Sequence, residues 1–169
     1  MSSKGGALST NFQLEDAAKR NNIPLVGVFF KDVLPSLVYQ GGYIFNLADH
    51  DDENGGTHWT AAWVEQNDET KESEVRYFDP FGFAPPENIK RFFQVILKGK
   101  DDLIYSTKQV QNENSFICGY YVLYFLFYMC RMSCQQRDLG KRFKNFMSLW
   151  SNREEDNRRL LKSYLHALI

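Results

Sequence analysis

The longest apolar stretch of the chain, Phe116 to Cys130, runs fifteen residues without a charge. A polar, turn-prone segment, Gln111-Asn112-Glu113-Asn114-Ser115, leads into it, and Arg131 ends it. Fifteen residues fall short of the ~20 that cross a bilayer, so the pattern predicts a buried core helix from Gly119 onward. Weaker patterns surround it. Leu14, Ala17 and Ala18 stand at helical spacing and predict a short helix over 14–22. Ile23 to Phe30 reads as a strand. His58 to Val64 reads as a buried strand, and Glu74 to Asp79 alternates like the second arm of a hairpin across the charged turn 65–73. Pro80 stops that arm, because proline has no N–H for the ladder. Asn88 to Leu97 is amphipathic and helical, and Leu103 to Val110 is strand-like. Two further amphipathic helices are predicted over Asp138–Trp150 and Glu154–Leu168.

Residues 1–11 are small and polar and read as a flexible arm, and 49–56 form an acidic loop ending in glycine. There is no repeat, low-complexity tract or linker. The expectation is a single α+β domain over 1–169, with a nucleophile-bearing helix at its centre.

Composition narrows the class. An apolar fraction of 43% and an aromatic fraction of 15% exclude a disordered chain. The net charge of −1 hides an asymmetry: residues 131–169 hold nine Lys/Arg and four Asp/Glu, so the C-terminal third carries +5 and the rest −6. That third is a candidate face for nucleic acid, weighed against an ordinary amphipathic helical surface. The three cysteines, Cys118, Cys130 and Cys134, are an odd count, and no leader segment is expected. They point to a reducing compartment rather than a disulfide framework. Cys130 and Cys134, four apart on one helical face, read as small buried side chains, and no metal site is expected. No membrane segment is expected.

The chemistry gathers around Cys118. A thiol is only slightly ionised at neutral pH, and a helix N-terminus or a nearby cation stabilises its thiolate. Of the three histidines, His166 falls on a C-terminal helix and His50 among acids. His58, at the mouth of a buried strand, is the candidate base. Asp79, ending the paired arm, is its candidate orienter, with Pro80-Phe81-Gly82-Phe83 as an apolar wall behind it. An amide from the loop before Cys118 can join the Cys118 N–H as an oxyanion donor. Either Gln109 or Gln111 fits from the residues alone.

The blocks GTHWTAAW (56–63), YFDPFGF (77–83) and QNENSFICGYYVLYF (111–125) together resemble the adenain family, the adenovirus maturation proteases. Those proteases form a viral branch of the clan that also holds the ubiquitin-like-protein proteases. The likeness runs from Pro24 to Phe127, near three-fifths of the chain, and a virophage or polinton-type member fits best. It implies a papain-like fold: a central mixed sheet flanked by helices, with the cysteine at the start of a buried central helix. It implies His58 as base, Asp79 as orienting acid, Gln111 rather than Gln109 as oxyanion donor, and Cys118 as nucleophile. It also implies Trp59 and Gly119 as substrate contacts, with Trp59 roofing a narrow cleft that favours Gly-Gly sites. Lys4-Gly5-Gly6-Ala7 would be such a site within the chain itself.

Two departures matter. The family's acid is glutamate where this chain has Asp79. The family's activating peptide pairs with a cysteine at the position of Lys100, so disulfide-tethered activation is not expected. No cofactor is required by the sequence, with DNA as a candidate activator. The implied substrates are capsid or virion precursors, cut by a monomer in the virion and the infected host cell. The rival readings are a deconjugating protease for a ubiquitin-like modifier, an acyltransferase, and a non-catalytic nucleic-acid-binding or scaffold protein of the virion.

Overall fold

A computed structural model describes residues 10–53, 58–98 and 103–166. The order is α1 (Asn11–Arg20), β1 (Leu25–Phe30), β2 (Gly41–Asn46), β3 (Trp59–Gln66), β4 (Ser73–Phe78), α2 (Glu87–Leu97), β5 (Ile104–Tyr105), α3 (Cys118–Arg131), α4 (Leu139–Ser148) and α5 (Glu154–Leu165). The strands lie side by side in chain order. The outer pairs, β1–β2 and β4–β5, are parallel, and the inner pairs, β2–β3 and β3–β4, are antiparallel. This is the expected mixed sheet of an α+β domain.

Strand alternation divides the apolar residues between two cores. Ile44, Trp59, Ala61, Trp63 and Phe78 face one side and pack with α1, α3, α4 and α5. Tyr43, Phe45, Ala62, Val64, Val75 and Tyr77 face the other and meet Ile89 and Phe93 of α2. α3 is therefore sandwiched between the sheet and the C-terminal helices. Tyr121, Val122, Leu123, Phe125, Leu126 and Met129 are all fully buried, which explains its lack of a polar stripe. No helix among the described residues is long and apolar enough to cross a membrane.

Several expectations need correction. Residues 10 and 11 belong to α1: Thr10 caps it, and the Gln13 side chain returns to the Thr10 N–H to close a capping box. The rest of the expected arm, with Lys4-Gly5-Gly6-Ala7, lies outside the described residues, as does Lys100. Strand β2 was not anticipated at all. Of 103–110, only Ile104 and Tyr105 join the ladder. Beyond them the Ser106 hydroxyl takes the Lys108 N–H, and the Lys108 ammonium turns to the Trp150 carbonyl behind α4. Cys134 lies in a 3-10 turn beyond α3 and is exposed, while Cys130 is only partly buried. One of the basic residues of the C-terminal third is not at the surface. Arg142, 1% exposed, reaches from α4 to Glu65 of β3, which also accepts the Trp63 indole N–H at 2.8 Å.

Candidate active site

The site is built where β3 and β4 begin and end. Their antiparallel register pairs Ala61 with Phe78. Carried outward, it sets Thr60 against Asp79 and His58 against Phe81. The two functional side chains are thus diagonal neighbours across the ladder. The sequence Asp79-Pro80-Phe81-Gly82 then folds as a β-turn, with the Gly82 N–H donating to the Asp79 carbonyl at 2.9 Å. Proline suits the second position of such a turn and glycine the fourth. Gly82 has φ +77°, and a Cβ there would lie 2.6 Å from the Thr107 carbonyl oxygen, so no other residue fits without a shift.

The turn orients the acid and supplies the wall. Asp79, 1% exposed, accepts the Phe81 N–H on Oδ1 at 2.7 Å, and the same oxygen meets His58 Nε2 at 2.7 Å. Phe81 lies flat on the imidazole, with ring centroids 3.8 Å apart and planes 3° from parallel. One short motif therefore fixes the tautomer and shields the ring pair.

An ionised carboxylate only accepts, so the Nε2 that meets Asp79 carries a hydrogen. Nδ1 is buried and has no well-formed hydrogen-bond partner. The Cys118 thiol nevertheless acts on the ring as a hydrogen-bonding neighbour. Burial alone pushes the imidazole down. Hydrogen bonding to Asp79 and with Cys118, together with their charges, outweighs it and lifts His58 to about 9. An imidazolium at neutral pH, beside a cysteine on a helix N-terminus, is the setting a nucleophilic thiolate requires.

Cys118 is the first residue of α3 and is 4% exposed. No side chain caps that helix end, and the Tyr120 N–H donates to the Ile117 carbonyl at 3.1 Å. Gly119 is buried beside it. Gln111 is 1% exposed, whereas Gln109 is exposed and donates its amide to the Gln111 carbonyl at 3.1 Å. Of the two glutamines, Gln111 is the buried one. The Gln111 Nε2 donates to the Ser115 carbonyl at 2.8 Å, within the loop it opens. An amide nitrogen has two hydrogens, so one remains for an oxyanion. Its backbone is held to the acid corner, since the Pro80 carbonyl accepts both the Val110 N–H, at 2.9 Å, and the Gln111 N–H, at 3.1 Å. Gln111 also lines a cleft of about 410 Å³ with Asn112, Asn114 and Glu154.

Trp59 does not match its expected place. It is 1% exposed and belongs to the core under α3, so the flat ring beside the histidine is Phe81. Gly55, Gly56 and Thr57, which precede His58, lie outside the described residues. Two fastenings were not foreseen, the Tyr121 hydroxyl and the Asn157 amide on the Val110 carbonyl. The one signal for Asn157 was an uncharged residue inside the run Glu154-Glu155-Asp156-Asn157-Arg158-Arg159. Among the described residues, the one cluster with metal-ligand spacing is Asp32, His50 and Asp51, all exposed and remote from Cys118 in sequence.

No family model matches the chain, and no curated protein matches it in sequence. Among solved structures it is similar to the pS273R protease of ASFV. One crystal structure aligns with a TM-score of 0.48 at 17% identity, over 72% of this chain and 57% of that one. A selenomethionine form aligns with a TM-score of 0.36 at 22% identity, over 51% and 33%. The chain thus spans little more than half of that protease. With scores this low, the case for an activity rests on the site's own geometry.

Proposed function

We propose that the chain is a cysteine endopeptidase in which Cys118 attacks, His58 shuttles the proton, Asp79 orients His58 and Gln111 stabilises the oxyanion. The observation that carries this reading is the buried His58–Asp79 bond of 2.7 Å, on an imidazole whose other influential neighbour is the Cys118 thiol. The thiolate adds to the scissile carbonyl, and the oxyanion is taken by Gln111 and the Cys118 N–H. The imidazolium then gives its proton to the leaving amine as the C–N bond breaks. Water, deprotonated by the neutral imidazole, releases the acyl group from sulfur and restores the thiol pair.

The motif likeness to adenain supports viral capsid or virion precursors as substrates, cut at Gly-Gly-type sites in the virion and infected cell. The buried Gly119 beside Cys118 fits a substrate with no side chain near the cut. DNA is the proposed activator through the basic C-terminal third, and a monomer is the proposed working form.

The test is cleavage of candidate capsid precursors, with and without DNA, alongside conjugates of ubiquitin-like modifiers. The cut site is read by mass spectrometry. Cleavage of precursors after Gly-Gly that is lost in Cys118→Ala supports the reading. Cleavage of modifier conjugates alone moves the chain to the deconjugating class. Cys118 labelling no faster than Cys130 and Cys134 with a thiol probe would return it to a non-catalytic protein.

A further inference from the structure

We propose that Asn157, on α5, is a positioning residue for the oxyanion donor, fixing the Val110–Gln111 peptide and through it the Gln111 amide. The inference rests on Gln111 being that donor.

Asn157 is 1% exposed. Its Nδ2 donates to the Val110 carbonyl and to the Ser151 carbonyl, each at 3.0 Å, and its Oδ1 accepts the Ser151 N–H at 2.8 Å. All three side-chain bonds go to backbone, and two fasten the segment between α4 and α5. The third reaches forty-seven residues back, to the peptide that precedes Gln111. The same Val110 carbonyl accepts the Tyr121 hydroxyl at 3.3 Å, from one turn beyond Cys118. The Val110 and Gln111 N–H groups go to Pro80. Three elements therefore clamp one peptide plane: the acid corner through Pro80, the nucleophile helix through Tyr121 and the C-terminal helices through Asn157.

That plane sets where the Gln111 side chain starts. Val110 is itself 1% exposed, and its carbonyl needs partners where water does not reach. Replacing Nδ2 by an oxygen would turn a donor into a group repelled by two carbonyls. The Val110–Gln111 peptide would then move, and a donor aimed at a developing charge loses value steeply with misplacement. The thiolate pair is fixed by other elements, so the loss falls on the transition state.

The experiment compares Asn157→Asp, which keeps the shape and the Ser151 N–H bond, with Asn157→Ala, each with Gln111 intact and in Gln111→Ala. A positioning role predicts a fall in kcat of about tenfold or more, with KM within about twofold, when Gln111 is present. In Gln111→Ala the same substitution should cost less than about twofold, because nothing is left to position. Equal losses in both backgrounds would mean a fold staple and overturn the proposal. A second readout does not need turnover. The Gln111 side-chain amide resonances, assigned by their absence in Gln111→Ala, should shift in Asn157→Asp or Asn157→Ala. Unmoved resonances overturn the proposal. A wild-type chain that cleaves nothing while those resonances shift counts against the protease reading alone.

Discussion

His58 and Asp79 are held by the hairpin that carries them, whereas Cys118 and Gln111 depend on what surrounds their loop. On the hairpin side, the register of β3 and β4, the Asp79–Phe81 bond and the stacked Phe81 ring determine the geometry within one stretch of chain. On the loop side, 112–117 is largely exposed, with Phe116 at 84%. Its base is tied to other elements by Pro80, Tyr121 and Asn157, while beyond the base its bonds are local, from the Ser115 N–H to the Asn112 carbonyl and from the Asn114 N–H to the Asn112 side chain, each at 2.9 Å. The base pair is thus prepared before substrate arrives. Gln111, the proposed oxyanion donor, is held differently: its amide is buried and bonded to the Ser115 carbonyl of the same loop.

The sharpest way to break this comparison is at the nucleophile. Cys118→Ala should reduce peptide cleavage ~10⁴-fold or more. The melting temperature should move by only a few degrees, since the site around the sulfur is built by other residues. Comparable residual cleavage would remove the loop side from the chemistry altogether. Next in size, Gln111→Ala should lower kcat ~10²–10³-fold, while Gln109→Ala, an exposed neighbour, should stay within about twofold. Reversed effects in steady-state kinetics would show that the loop turns the other glutamine inward.

On the hairpin side, Asp79→Asn should lower kcat while leaving residual activity, because a neutral partner still fills the space but no longer fixes the tautomer. Its clearer signature is the pH response. The folded imidazole, at about 9, lies above its ordinary value of 6.5. The stabilisation it brings is therefore fully present below pH 6.5 and is lost as the pH rises through about 9. That rise corresponds to at most about 3 kcal/mol. The melting-temperature gap between wild type and His58→Ala should be flat below pH 6.5 and shrink toward pH 10. The alkaline limb of the wild-type rate should fall near pH 9, and Asp79→Asn should move it down. A gap that grows with pH would contradict the assigned pair.

The same contrast explains what the sequence disclosed. The hairpin side was legible, because Asp-Pro-Phe-Gly after an alternating strand specifies both a stop and a turn, and His58 stands where the partner strand opens. The buried helix was legible from its apolar run. Strand β2 was hidden for a physical reason: Gly41-Gly42 reads as a chain break, and a strand with all six residues buried shows no alternation. Those glycines are contact points. Gly41 has φ +128°, and a Cβ there would meet the Pro24 carbonyl at 2.5 Å, while one at Gly42 would press on Leu126 of α3 at 3.0 Å. Trp59 was misplaced because an aromatic next to a histidine looks the same in sequence whether it lines a cleft or fills a core. The clamps on Val110 join residues far apart in the chain and leave no local pattern.

The smallest effects test how far the hairpin side tolerates change. Gly82→Ala forces a side chain into positive φ and against Thr107, and should cost ~1–3 kcal/mol of stability by denaturant unfolding. It should also move Phe81, one residue before it. Phe81→Leu keeps the turn but replaces a flat ring at 3.8 Å with a branched chain that cannot stack. It should lower kcat only a few-fold, since stacking of this kind is worth ~0.5–1.5 kcal/mol. It should lower the alkaline limb too little to match Asp79→Asn, because the hydrogen bond to Asp79 remains. If Phe81→Leu instead equalled Asp79→Asn in both rate and pH profile, the ring would be holding the imidazole as firmly as the carboxylate does. The hairpin side would then owe its rigidity to packing rather than to the charged bond.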